Sequence, residues 1–113
     1  MATGKPSLRV TVSAAVSVAL KQIWWYDASH RGLSQANRYE MFLRKRIGLL
    51  ATDYDRGRPV GADPNLRYQV LKLRSKGDGH VIVYRVDLLA KEVDLLHIFH
   101  TKQDWREKLD NEA

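Results

Sequence analysis

Apolar positions recur along this chain with two different periods, and the change from one to the other separates a helical first half from a β-rich second half. Leu8, Val10 and Val12 alternate with Arg9 and Thr11, which predicts a short strand with one buried face. Ser13 follows as a helix N-cap. Val16, Leu20, Ile23 and Asp27 then fall on one helical stripe, with Ala19 and Trp24 beside it, and the helix runs to about His30. Gly32 is placed to end it in a left-handed cap. Ser34 offers a second N-cap, and Ala36, Tyr39, Leu43, Ile47 and Leu50 repeat at helical spacing to about Ala51. So short a connection predicts an antiparallel helical hairpin.

Between Thr52 and Asn65 the chain turns to Asp, Arg, Gly and Pro (TDYDRGRPVGADPN), and a loop of that length is near the upper end of ordinary connections. Three strands follow: Tyr68 to Arg74, Val81 to Leu88 and Val93 to Phe99. The first two are joined at SKGDG, where Gly77 and the Asp78–Gly79 pair supply positive backbone angles. A turn near Ala90–Lys91 joins the last two. Thr101 to Leu109 adds a turn or two of polar helix. The pattern predicts an α+β fold: an N-terminal strand and an antiparallel two-helix hairpin packed on a mostly antiparallel, curved four-stranded sheet. The helices cover one sheet face, so the other is expected to be solvated or used. Residues 1–113 read as a single domain, with 1–7 a frayed end.

Composition sharpens this only in part. The formal charge is +6, from 19 Lys and Arg against 13 Asp and Glu, which favours polyanionic partners, nucleic acid or an acidic protein, and says nothing of fold. Cysteine is absent, so disulfides, thiol catalysis and thiolate metal sites are excluded, in keeping with a cytoplasmic location. The run Val10–Leu20 mimics a targeting signal, but Thr11, Ser13 and Ser17 interrupt it and its spacing continues as a helix. No segment approaches the ~20 apolar residues of a membrane span, so no membrane partner is expected.

Candidate chemistry gathers in the last third. On the first hairpin strand Lys72 and Arg74 share a face by the two-residue period, with Leu71 and Leu73 directed to the core. His80 lies across the SKGDG turn, within reach of Arg74. Cations there could hold phosphates and a histidine could shuttle protons; equally, strand-end cations serve as solubilising edge residues. His97 and His100 should face opposite sides of their strand, and no cluster completes a metal site, so neither metal nor cofactor is expected. Of Trp24 and Trp25, one belongs to the core and the other is a surface aromatic or interface anchor. Arg44, Lys45 and Arg46 read as a solvated face or an extension of the positive surface. No nucleophilic triad or glycine-rich phosphate loop is present.

These features together resemble the RelE/ParE superfamily of bacterial toxins from type II toxin–antitoxin modules. LRYQVLKLRSKGDGHVIVYRVD resembles the family's leucine-arginine strand, turn and V-Y-R strand, and IFHTKQDW its closing strand and turn. GLSQANRYEMFLRKRIGLL fits the helical hairpin more loosely, and coverage runs from Val10 to Leu109. The resemblance implies a growth-inhibiting toxin neutralised by a cognate acidic antitoxin in a hetero-oligomer, held in part by Trp24 or Trp25. ParE-like members inhibit DNA gyrase; Arg67, Lys76, Arg85, Lys102 and Trp105 would then be target-binding surface. RelE-like members cleave mRNA on the ribosome without metal. In that branch Lys72, Arg74 and His80 would surround the scissile phosphate, with His100 as proton donor. Where a nuclease often has tyrosine or histidine this chain has Trp105, whose indole neither gains nor loses a proton at ordinary pH. The ParE-like reading is therefore preferred. A non-toxic basic RNA-binding module is the rival from another class.

Overall fold

The computed structural model describes residues 5–111. Strand β1 (Arg9–Val12) leads into helix α1 (Ala14–Arg31), and helix α2 (Leu33–Asp53) returns beside it. A 3-10 turn (Tyr54–Arg56) and the two-residue strand β2 (Arg58–Pro59) precede the meander β3 (Leu66–Leu71), β4 (His80–Asp87) and β5 (Glu92–His100), and α3 (Trp105–Asn111) closes the chain. The sheet order is β1-β5-β4-β3-β2. All neighbours are antiparallel except β1, which runs parallel to β5. The α+β architecture is the one the hydrophobic pattern predicts. The fifth strand is an addition: Arg58 and Pro59 pair with Tyr68 and Arg67 inside the segment read as loop.

Local chemistry fixes the helix ends. Ser13 Oγ accepts from Val16 N at 3.2 Å and donates to Leu96 O at 2.9 Å, so one hydroxyl caps α1 and ties it to β5. The break at Gly32 has φ 94° and ψ 163°, an extended conformation of positive φ rather than the left-handed helical cap, and Gly32, not Ser34, occupies the cap position of α2. Gly77 has φ 104° as the turn requires. Gly79 does not. It is needed because a side chain there would collide with the Leu71 carbonyl and the Lys72 side chain.

The main core lies between the hairpin and one sheet face. Val16, Leu20, Leu43, Ile47 and Leu50 pack on Leu71, Ile82, Tyr84, Val93 and Leu95. A buried polar chain closes one end of it. Tyr84 Oη donates to Tyr54 O at 2.8 Å and accepts from Gln69 Nε2 at 3.1 Å, while Tyr54 Oη donates to Pro6 O at 2.9 Å. These bonds satisfy two phenols that burial would otherwise penalise. They also anchor Pro6, part of the segment expected to fray; residues 1–4 lie outside the described residues.

The opposite sheet face corrects an expectation. It is covered by the chain's own apolar groups: Val81, Val83 and Phe99 form a second core, against which Val60, Leu66, Tyr68, Trp105 and Leu109 pack. The alternation in β4 explains this, because the strand is apolar on both faces and a one-sided sheet would leave Val81 and Val83 in water. Among the described residues, no helix is long and apolar enough to cross a membrane.

Candidate functional site

Where the hairpin connection meets the β3–β4 turn, a cleft of about 1170 Å³ opens between α1, α2 and the sheet end. Its floor is set by register. His80 opens β4 and pairs with His100, the last residue of β5, so both imidazoles lie on the helix-facing side, ring centroids 5.2 Å apart. The strand ends are clamped together: Thr101 N donates to Gly79 O at 3.0 Å, and Gly79 N donates to Thr101 Oγ1 at 3.0 Å. From α2, Tyr39 reaches His80, its Oη 2.6 Å from Nδ1.

Burial decides the protonation of this pair. His80 is 9% exposed. Its pKa falls to about 4, first because burial disfavours the imidazolium and second because His100 adds positive charge nearby. That of Tyr39 rises to about 12, through burial and the Asp27 carboxylate, partly offset by Arg31. At neutral pH both groups are therefore uncharged, and the hydrogen bond between them clamps helix to sheet.

The candidate residues separate into three groups. Arg74, Lys76, His80, His100 and Lys102 line the cleft, and Lys102 Nζ lies 3.2 Å from Asp78 Oδ2. Lys72 and Arg74 do not share a strand face, because β3 stops at Leu71 and both belong to the following turn. Leu73 is accordingly exposed, not core. At the far end of the sheet Arg67 Nη1 donates to Gly57 O at 2.6 Å, and Arg85 Nη1 lies 2.7 Å from Asp63 Oδ2. Trp105 sits on the second face, its ring 4.8 Å from that of Tyr68, with the Arg106 guanidinium over both rings. His97 lies on that face too, stacked on Phe99 at 5.5 Å, opposite in direction to His100 as the alternation predicts.

Neither tryptophan of the adjacent pair belongs to the core. Trp24 is half-buried at the hairpin seam, donating from Nε1 to Asn37 Oδ1 at 2.9 Å, and Trp25 is 66% exposed. The indole N–H needs an acceptor, and the rim supplies one where the apolar stripe cannot. Among the described residues no group of three or more His, Asp or Glu is placed to hold a metal ion.

Contributors to the cleft that escaped the sequence reading as site residues include Tyr26, Asp27, Arg31 and Tyr39. Asp27 carried a signal, since a carboxylate on an otherwise apolar helical stripe must be buried with a reason. Tyr39 looked like an ordinary core position, and only the pairing across the hairpin reveals its partner.

Comparison with known proteins bears on the family and the fold. The family described as "ParE toxin of type II toxin-antitoxin system, parDE" matches residues 10–105. Among solved structures, a chain of the chromosomal ParDE TA system from P. aeruginosa superposes with a TM-score of 0.66 at 16% identity, over 81% of this chain and 94% of that one. At that identity the likeness speaks for the fold alone. No curated protein matches the sequence. The family match spans most of the chain and both halves of the cleft, so this protein belongs to the ParE toxin family and is the toxin component of a type II toxin–antitoxin module, with a cognate antitoxin as its counterpart.

Proposed function

We propose that this toxin arrests growth by binding DNA gyrase, without chemistry of its own, and that an acidic antitoxin holds it inactive. The observation that carries the reading is the state of His80. A nuclease of this superfamily needs a side chain that exchanges protons beside the scissile phosphate. Here the imidazole aligned with that place is buried, neutral at physiological pH and bound at Nδ1 by Tyr39. Trp105, at the position where a nuclease often has tyrosine or histidine, is packed against Tyr68. Trp25 is the better antitoxin anchor of the adjacent pair, because it is exposed while Trp24 is committed to Asn37. Arg67 and Arg85 bond within the chain at the far end of the sheet, and Lys76 and Lys102, the latter shared with Asp78, are the cations of the proposed target surface that line the cleft.

One observation favours a second reading, metal-independent mRNA cleavage on the ribosome. Arg74, His80, His100 and Lys102 do converge on a single cleft, where cations could stabilise developing charge and His100 could donate a proton. Controlled expression with 5′-end mapping of transcripts, run beside a supercoiling assay on purified gyrase, separates the two. Inhibited supercoiling and a DNA-damage response with intact transcripts are expected. New codon-associated mRNA ends with unaffected gyrase would replace the first reading by the second.

A further inference from the structure

The end of the sheet away from the cleft carries a feature that the fold does not need. Residues 88–91 join β4 to β5, next to the last rung of the ladder, Asp87 with Glu92. Eight residues of β4 set this turn about 25 Å from His80 and the cleft. Leu89, at its apex, is 99% exposed and Leu88 beside it 57%. A single leucine in water needs no explanation, but two neighbours at a hairpin tip make an apolar point where Asn, Asp or Gly is usual. The tip is also held firmly. Asp87 Oδ1 accepts from Ala90 N at 3.0 Å, Leu88 O accepts from Lys91 N at 3.3 Å, and Lys91 O accepts from Arg9 N at 2.9 Å. Lys91 has φ 56°, a left-handed conformation that glycine would take without strain.

Charge says what kind of partner fits. Next to the turn opposite charges meet: Arg9 Nη2 lies 3.1 Å from Glu92 Oε1, and Arg85 Nη1 lies 2.7 Å from Asp63 Oδ2. The turn itself adds one acid, Asp87, and one base, Lys91, both exposed. In a chain of net charge +6 this end is locally balanced, so it draws neither an acidic peptide nor nucleic acid. Its complement is an uncharged apolar pocket on a protein, with the ion pairs as a polar rim around the leucines. We infer that Leu88 and Leu89 are an anchor seated in such a pocket of the protein this toxin inhibits, while Lys76 and Lys102 meet the same protein at the other end of the sheet. That the protein is gyrase rests on the reading above; the anchor does not. A tip already fixed by its own backbone bonds loses little freedom on docking.

The test compares the unaltered chain with Leu89→Ser and with Leu88→Ser/Leu89→Ser, in supercoiling by purified gyrase and in growth arrest after controlled expression. Both side chains are exposed, so the variants should melt like the unaltered chain, which circular dichroism checks. The half-inhibitory concentration should rise about tenfold in the single variant and about a hundredfold in the double, as when one or two leucines lose their burial. Growth arrest should weaken in the same order. Val18→Ser, at an exposed apolar position of α1 away from the turn, should leave both readouts unchanged. Full inhibition by the double variant, or an equal loss in Val18→Ser, would overturn the anchor. Growth arrest that spares gyrase, yet is lost in the double variant, would remove gyrase as the partner and support the anchor on another target. An oligomer dispersed by Leu89→Ser in sedimentation velocity would give the tip to a second copy of the chain. Flotation with phosphatidylcholine–phosphatidylglycerol vesicles, abolished by Leu89→Ser, would give it to a membrane. Either of these last results would overturn the inference.

Discussion

His80 shows how a side chain that reads as freely available in sequence is buried and hydrogen-bonded in place. On a strand end after a glycine turn it looks available, yet the strand register turns it under the hairpin, where Tyr39 meets it. Because its pKa drops from an ordinary ~6.5 to about 4, the unfolded chain binds a proton more readily than the folded one. Stability contributed by neutral His80 is thus present above pH ~6.5 and is lost as the pH falls toward 4. Roughly 2 kcal/mol should disappear between pH 7 and pH 5, where most carboxylates have not yet titrated. Urea denaturation at the two pH values measures it, and His80→Gln should flatten the difference. An equal pH dependence in that variant would assign the loss to other groups.

At the level of elements, α3 is more than the polar tail its composition suggests. Of its residues Trp105 and Leu109 face the second core, and Arg106 is held over the rings of Tyr68 and Trp105 while its Nη1 donates to Val60 O at 3.0 Å. Seven residues are too few for a stable isolated helix, so α3 persists through this docking. Trp105→Ala should cost about 2 kcal/mol, less than the ~3–5 of a fully buried aromatic because Trp105 is half-exposed. It should also expose Val83 and Phe99 to a hydrophobic dye. Denaturant melts and dye fluorescence report both, and unchanged values would show that α3 rests on the sheet without stabilising it.

For the whole molecule the net charge of +6 governs encounter more than fold. Cations line the cleft and Lys45 stands on the outer surface of α2, so association with the antitoxin, if it is acidic as proposed, should be steered over several ångströms before contact. Raising ionic strength from about 50 to 300 mM should slow association about tenfold and leave dissociation nearly unchanged. Stopped-flow mixing resolves the two rates. A salt effect confined to dissociation would place the important charges inside the interface.

The sequence by itself determined the α+β class, the helical hairpin, the order of the meander and the family, because periods of 3.6 and 2 residues, Ser13 and the SKGDG turn are local signals that each act on neighbouring residues. It also determined that His97 and His100 point apart, a consequence of alternation alone. Tertiary structure decided what locality cannot. Whether Val81 and Val83 met water or a lid depended on where α3 landed, and the fate of Trp24 on Asn37 across the hairpin. Whether His80 stood free in solvent or lay buried against a partner depended on Tyr39, 41 residues away in the chain. Burial and charge at a site are sums over elements brought together by folding, and a reading along the chain sees only one element at a time.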